Sequence, residues 1–181
     1  MARINKSKGR RGAELLEFTL AILPLLMMIF LLLDACWGMF VKSTLAFAVH
    51  AGLRQGITIT GTQATAAGSN LTAMVKATVQ RNAMGLLAGS TGLARIKVNY
   101  FQPPAPGSTA AAMDVSSVSN GNAPLNVMQV SIQGFPLRPL IPRLYGLRGA
   151  GSVDASATVI NAVAADLIEP SRDPPLIGPA P

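Results

Sequence analysis

The chain has 181 residues, half of them hydrophobic, with 15 Lys and Arg against 8 Asp and Glu and a formal net charge of +7. That length suits one compact domain plus an anchor. One cysteine and one histidine exclude an intramolecular disulfide and leave no set for a metal cluster or a nucleophile–base pair, so no cofactor and no enzymatic activity are expected.

The positive excess is not a nucleic-acid footprint. Arg3, Lys6, Lys8, Arg10 and Arg11 precede the first apolar run, and the remaining basic residues are scattered singly with few aromatics, so no nucleic-acid partner is expected. Residues 1–12 read as a short, flexible basic leader. Next comes Ala13-Glu14-Leu15-Leu16-Glu17-Phe18, and from Phe18 to Leu33 there is no charge. Residues 13–41 are predicted to form a membrane-spanning helix, since about 20 apolar residues suffice. The leader charge places the N-terminus in the cytoplasm and the rest of the chain outside. Pro24 predicts a kink in this helix. Glu17 stands out, because a carboxylate costs on the order of 3 kcal/mol at the centre of a bilayer. Asp34 lies roughly 25 Å beyond it at helical rise and reads as an interfacial acid. Trp37 reads as an aromatic anchor at the same interface.

Residues 42–56 carry Leu45, Ala46, Val49 and Leu53 at helical spacing and are expected to continue the anchor as a stalk helix, with His50 a surface or packing residue. An extracytoplasmic head follows over residues 57–169. Gly56 to Gly68 reads as a Thr/Gly/Ala linker. Ser69 and Asn70 offer N-caps for a helix whose Leu71, Val75, Val79, Ala83 and Leu86 share one face, with Gly89 as its stop. The helix start also explains Asn70-Leu71-Thr72 better than glycosylation does.

Three strands are then expected. Arg95 to Phe101 places Ile96, Val98 and Tyr100 on one face and ends at Pro103, Pro104 and Pro106. A loop from Gly107 to Pro124 leads to Asn126–Phe135, where Met128, Val130 and Ile132 set the period; Leu125 and Val127 are out of phase, which indicates a bulge or a late start. Ser152 to Asn161 alternates with Val153, Ala155, Ala157 and Val159 inward. Strands grouped after helices indicate an α+β head with an antiparallel sheet. Residues 170–181 are proline-rich and expected to be disordered.

Arg10-Arg11-Gly12-Ala13-Glu14-Leu15-Leu16-Glu17-Phe18 resembles the class III signal of type IV pilin-like proteins. Three stretches together are similar to TadE-type proteins, the minor pilins or pseudopilins of the tight adherence (Tad/Flp) pilus. They are the signal with its Pro24 helix, the alanine-rich stretch ending at Ala51-Gly52-Leu53-Arg54, and Val130-Ser131-Ile132 running into Phe135-Pro136-Leu137-Arg138-Pro139-Leu140-Ile141-Pro142 and a last strand through Ala155-Ser156-Ala157-Thr158. Where the family often carries an acid or an arginine after that strand, this chain has Ile160-Asn161-Ala162.

The resemblance implies cleavage between Gly12 and Ala13 by a prepilin peptidase and retention of the apolar helix in the inner membrane. Glu17, beside Phe18, would pair with the Ala13 amine of a neighbouring subunit. It also implies partners: other pilins and pseudopilins, an inner-membrane assembly platform and membrane lipid. Two rival readings have different consequences. Leu33-Asp34-Ala35-Cys36 is close to a lipobox, although the acids at Glu14 and Glu17 and the length of the run oppose it. A simple single-pass anchor for an envelope protein needs no cleavage at Gly12.

Overall fold

The computed structural model describes residues 8–118, 120–138, 158–169, 175 and 177. Its architecture is α+β: a long apolar helix, three short helices and a four-stranded antiparallel sheet. The chain divides into two compact units, the first built on the leading helix through Met39 and the second on residues 40–137 and 156–181.

Helix α1 spans Lys8–Thr58, 51 residues without a break. The leader was expected to be flexible through Gly12, but residues 8–12 already belong to the helix. Once the apolar segment has nucleated, each added residue gains a hydrogen bond at little further cost, so the helix propagates toward the N-terminus. It also runs uninterrupted through Pro24. From Leu15 to Leu33 all its large apolar side chains but Ile22 and Phe30 are exposed, Leu16 at 65% and Leu20 at 71%. Among the described residues this is the one helix long and apolar enough to cross a membrane.

In the second unit, the end of α1 is not a free stalk. Val41, Leu45, Ala48, Val49 and Leu53 are buried along one face, while His50 is exposed on the other. Gly52 and Gly56 make close packing possible there. A Cβ at Gly52 would lie 2.3 Å from Val79 Cγ2, and one at Gly56 would lie 2.6 Å from Met128 Sδ.

The expected linker contains helix α2 (Gly61–Ala66), whose start is closed by the Thr60 N–H donating to Gln63 Oε1 at 3.1 Å. Helix α3 (Leu71–Asn82) begins where the sequence indicates, with Asn70 Oδ1 accepting the Ala73 N–H at 2.8 Å. Leu71, Val75, Val79 and Ala83 are buried together. The helix stops well before Gly89, because Met84 (φ 51°) and Gly85 (φ 83°) turn the chain left-handed. That turn buries Leu87 in place of Leu86. Helix α4 (Gly89–Ala94) leads into the sheet.

Strands β1 (Ile96–Gln102), β2 (Met113–Asp114), β3 (Val127–Leu137) and β4 (Thr158–Leu167) pair antiparallel in the order β2-β1-β3-β4. The first period was legible: Ile96, Val98 and Tyr100 are buried opposite Ile132, Val130 and Met128. Strand β2 lies inside the stretch expected to be loop, held by only two residue pairs. Leu125 takes a left-handed φ of 72°, so β3 starts late, at Val127. The bulge lies further on, between Ile132 and Phe135.

The last strand corrects the sequence reading. Its described part is Thr158–Leu167, and its inward residues are Ala162 and Ala164, with Val159 56% exposed. Val153, Ala155 and Ala157 lie outside the described residues. Both phases present small apolar residues, and pairing with β3 chose between them. Of residues 170–181 only Pro175 and Ile177 lie among the described residues; both are buried, and each has its carbonyl hydrogen-bonded by a side chain of the head.

Candidate functional site

The acid, the glycine and the apolar run all lie on the first turns of α1. Glu17 is one turn beyond Ala13, about 6 Å along the axis. Gly12, Leu16, Glu17, Leu20 and Ala21 line one open recess along the helix. Five residues apart, Gly12 and Glu17 lie about 140° apart around the helix and do not share a stripe, whereas Glu17 follows Ala13 by one turn. Phe18 is 64% exposed outside that recess.

Among the described residues nothing requires glycine at position 12. It is helical and exposed, and a Cβ there would meet nothing within 4 Å. A glycine inside a helix costs about 1 kcal/mol relative to alanine. Lys8, Arg10 and Arg11 occupy the first turns with no acid in the first turn. Positive charge at a helix N-terminus opposes the macrodipole, so it weakens these turns.

Thr19 Oγ1 donates to the carbonyls of Leu15 at 3.0 Å and Leu16 at 2.9 Å, which keeps a hydroxyl satisfied inside the apolar segment. Pro24 has no N–H, so the Leu20 carbonyl lacks its ordinary helical donor. Asp34 and Trp37 are both half-buried further along, and Cys36 is exposed.

The second unit carries a separate open groove between α3 and α4, lined by Ala73, Lys76, Ala77, Gln80, Leu93 and Ala94. Burial, and secondarily the charge of Lys97, hold the Lys76 ammonium below its ordinary pKa of 10.5. Among the described residues no group of three His, Cys, Asp or Glu could hold a metal ion.

A family model described as TadE-like protein matches residues 12–54. The match begins at Gly12 and ends at Arg54, so it takes in the apolar helix and the buried face with Gly52, and stops before α2 and the sheet. It covers the first stretch of the resemblance from Gly12 onward and the second, and not the third. No curated protein and no solved structure matches the chain. Residues 12–54 are thus similar to the TadE-like family.

Proposed function

We propose that the protein is a minor pilin or pseudopilin acting in assembly of the tight adherence pilus, a non-enzymatic role. A prepilin peptidase hydrolyses the Gly12–Ala13 bond on the cytoplasmic side of the inner membrane. The freed Ala13 amine carries the new positive charge, and Glu17 supplies a carboxylate one turn away to the amine of a neighbouring subunit. Two charges that are each costly in an apolar surrounding become tolerable as a pair, which favours transfer of the helix from lipid into a bundle of like helices. Its partners are then the peptidase, other pilins and pseudopilins, the inner-membrane assembly platform and membrane lipid. The head lies on the periplasmic side, in keeping with the basic residues before the run.

The observation that carries this reading is the TadE-like match starting at Gly12, with Glu17 in the first turns of the same apolar helix. Gly12 costs helix stability, and among the described residues a Cβ there would meet nothing, which leaves a glycine here to be explained by processing. The peptidase must unwind the first turns of α1 to take the Gly12–Ala13 bond in extended form, and the basic first turns lower that cost.

The test is N-terminal sequencing of the membrane-extracted protein after co-expression with a prepilin peptidase. A mature chain beginning at Ala13 is expected. A chain beginning at Cys36 would make it a lipoprotein, and an unprocessed chain would make it a plain membrane anchor.

A further inference from the structure

The two edges of the sheet are built differently. Strand β2 is two residues long, which leaves little main chain for another strand to pair with. Strand β4, at the opposite edge, runs for ten residues with one charge, Asp166, and no proline. The bulge puts its extra residue on β3, so β4 itself is regular. Edge strands ordinarily carry lysine, proline or a bulge that deters pairing, and β4 has none of these.

Among the described residues β4 pairs with β3 alone. Just past its end, the Ile168 N–H donates to the Asn126 carbonyl at 2.9 Å, and the Ile168 carbonyl accepts from the Leu125 N–H at 3.1 Å. Main-chain direction alternates along a strand, so Leu167, Ala165, Val163 and Asn161 turn their N–H and carbonyl groups away from β3. The Leu167 N–H agrees with this, since it donates to the side chain of its own neighbour, Asp166 Oδ1, at 2.8 Å. The side chains of this phase are exposed, Val159 and Val163 at 56% and Leu167 at 46%. These three apolar residues stand at equal spacing, with Val163 in the middle.

We propose that β4 is the pairing edge for a second copy of this chain, joined antiparallel about a two-fold axis at Val163. Val163 then lies opposite its counterpart and exchanges both main-chain hydrogen bonds with it, and Val159 of each copy lies opposite Leu167 of the other. A copy of the same strand thus satisfies the outward main chain and covers the apolar row at once. On the inward face Ala162 meets Ala164. Charge selects this register. Asp166 lies opposite Ile160, and the two Asp166 carboxylates stay about 20 Å apart at strand rise. An axis at Ala165 would bring them to about 7 Å along the strands and leave Val159 outside the ladder, and like charges that close oppose pairing. An axis at Asn161 would leave Leu167 without an apolar partner in the strand. The pairing concerns the head alone and needs neither cleavage at Gly12 nor the carboxylate of Glu17.

The experiment is disulfide trapping of the detergent-solubilised full chain, with Cys36→Ser removing the native thiol. Paired residues at the axis lie about 5.5 Å apart between Cα atoms, within the span of a disulfide. Val163→Cys is therefore expected to give a linked dimer under mild oxidation, at least fivefold more than Val159→Cys alone, whose two sites lie about 27 Å apart. Mixing Val159→Cys chains with Leu167→Cys chains should restore the dimer. Adding Val163→Lys to both partners of that mixture sets like charges opposite each other and should cut trapping at least fivefold. A folded Val163→Cys chain that stays monomeric overturns the proposal, as does equal trapping of Val159→Cys alone or no trapping in the mixture. Should the Val163→Cys chain not fold, the mixture decides by itself.

Discussion

Asn161 closes the break in the sheet at Gly134: its Oδ1 accepts the Gly134 N–H at 2.9 Å. The ladder between β3 and β4 steps from the Ile132–Ala162 pair to the Phe135–Ile160 pair, so Gln133 and Gly134 together oppose Asn161 alone. Gly134 sits at φ +68°, which an L side chain adopts only with strain. Gln133 is tied on the other side by its N–H donating to the Arg95 carbonyl at 3.0 Å. Beyond the bulge β3 no longer pairs with β1, so Pro136 interrupts no ladder on that side. Replacing Asn161 by leucine leaves the Gly134 N–H without its acceptor and should lower stability by about 1 kcal/mol. Gly134→Ala should cost about 1–2 kcal/mol from the left-handed backbone. Chemical denaturation of the purified protein, following the far-UV signal of the sheet, measures both. No change in the midpoint for either variant would show that the bulge carries no stability.

Gly52 is a packing prediction. A Cβ there meets Val79 Cγ2 at 2.3 Å and the Val75 carbonyl at 3.5 Å. Gly52→Val forces α1 and α3 apart and should destabilise the head by about 1–3 kcal/mol, despite removing a glycine from a helix. Gly12→Ala is the control, since a Cβ there meets nothing. Thermal melts of the two variants should diverge, with only Gly52→Val lowered.

Lys76 gives a pH prediction. Its folded pKa lies below the ordinary 10.5, because burial and then Lys97 penalise the charged form. The unfolded chain therefore binds the proton more tightly. Below the folded pKa the penalty is fully present, and stability recovers as pH rises through the folded pKa toward 10.5. Lys76→Met keeps helix propensity nearly unchanged and removes the charge. It should raise the melting temperature at pH 7, and the gain should shrink as pH approaches 10.5. A lowered melting temperature at pH 7 would mean that the ammonium is favourably held.

Gly12 variants separate the chemistry of processing from the fold. Gly12→Val should block cleavage. Gly12→Ala strengthens the first turns of α1 by about 1 kcal/mol and should slow cleavage about fivefold if unwinding precedes attack. The ratio of precursor to mature chain after a pulse of peptidase expression measures this. Equal rates for Gly12→Ala and the native chain would remove unwinding from the rate-determining events.

Glu17→Ala should leave insertion and cleavage intact, because the helix becomes cheaper to bury and Gly12 remains. Assembly should fail, since an incoming amine then lacks its counter-charge, and an unpaired buried charge costs several kcal/mol. Surface piliation with the variant as the sole copy is the measurement, with the processed protein confirmed in the membrane. Normal piliation would reduce Glu17 to an interfacial acid.

Much of this protein is written in local patterns. The uncharged run after Glu17, the Asn70 cap and the Ile96–Val98–Tyr100 alternation each follow from neighbours in the chain, and each is in place in the fold. The start of the TadE-like match at Gly12 follows equally from local residues. The register of β4 was different. Ser152–Asn161 and Thr158–Leu167 both alternate small and apolar residues, and only pairing with Met128, Val130 and Ile132 decides which phase is inward. Position 161 reads as a departure from a family habit, but its task exists only once the bulge at Gly134 faces it. The same holds for the tail, whose proline-rich composition carries no record of the Thr72 and Asn122 donors that bind it. Likewise, residues 42–56 have an apolar face whether they form a stalk or a core wall, and it is the approach of Val79 to Gly52 and of Met128 to Gly56 that makes them a wall. Helix, cap and alternation depend on residues a few positions apart, whereas register, bulge and docking depend on contacts between segments that only the folded chain brings together.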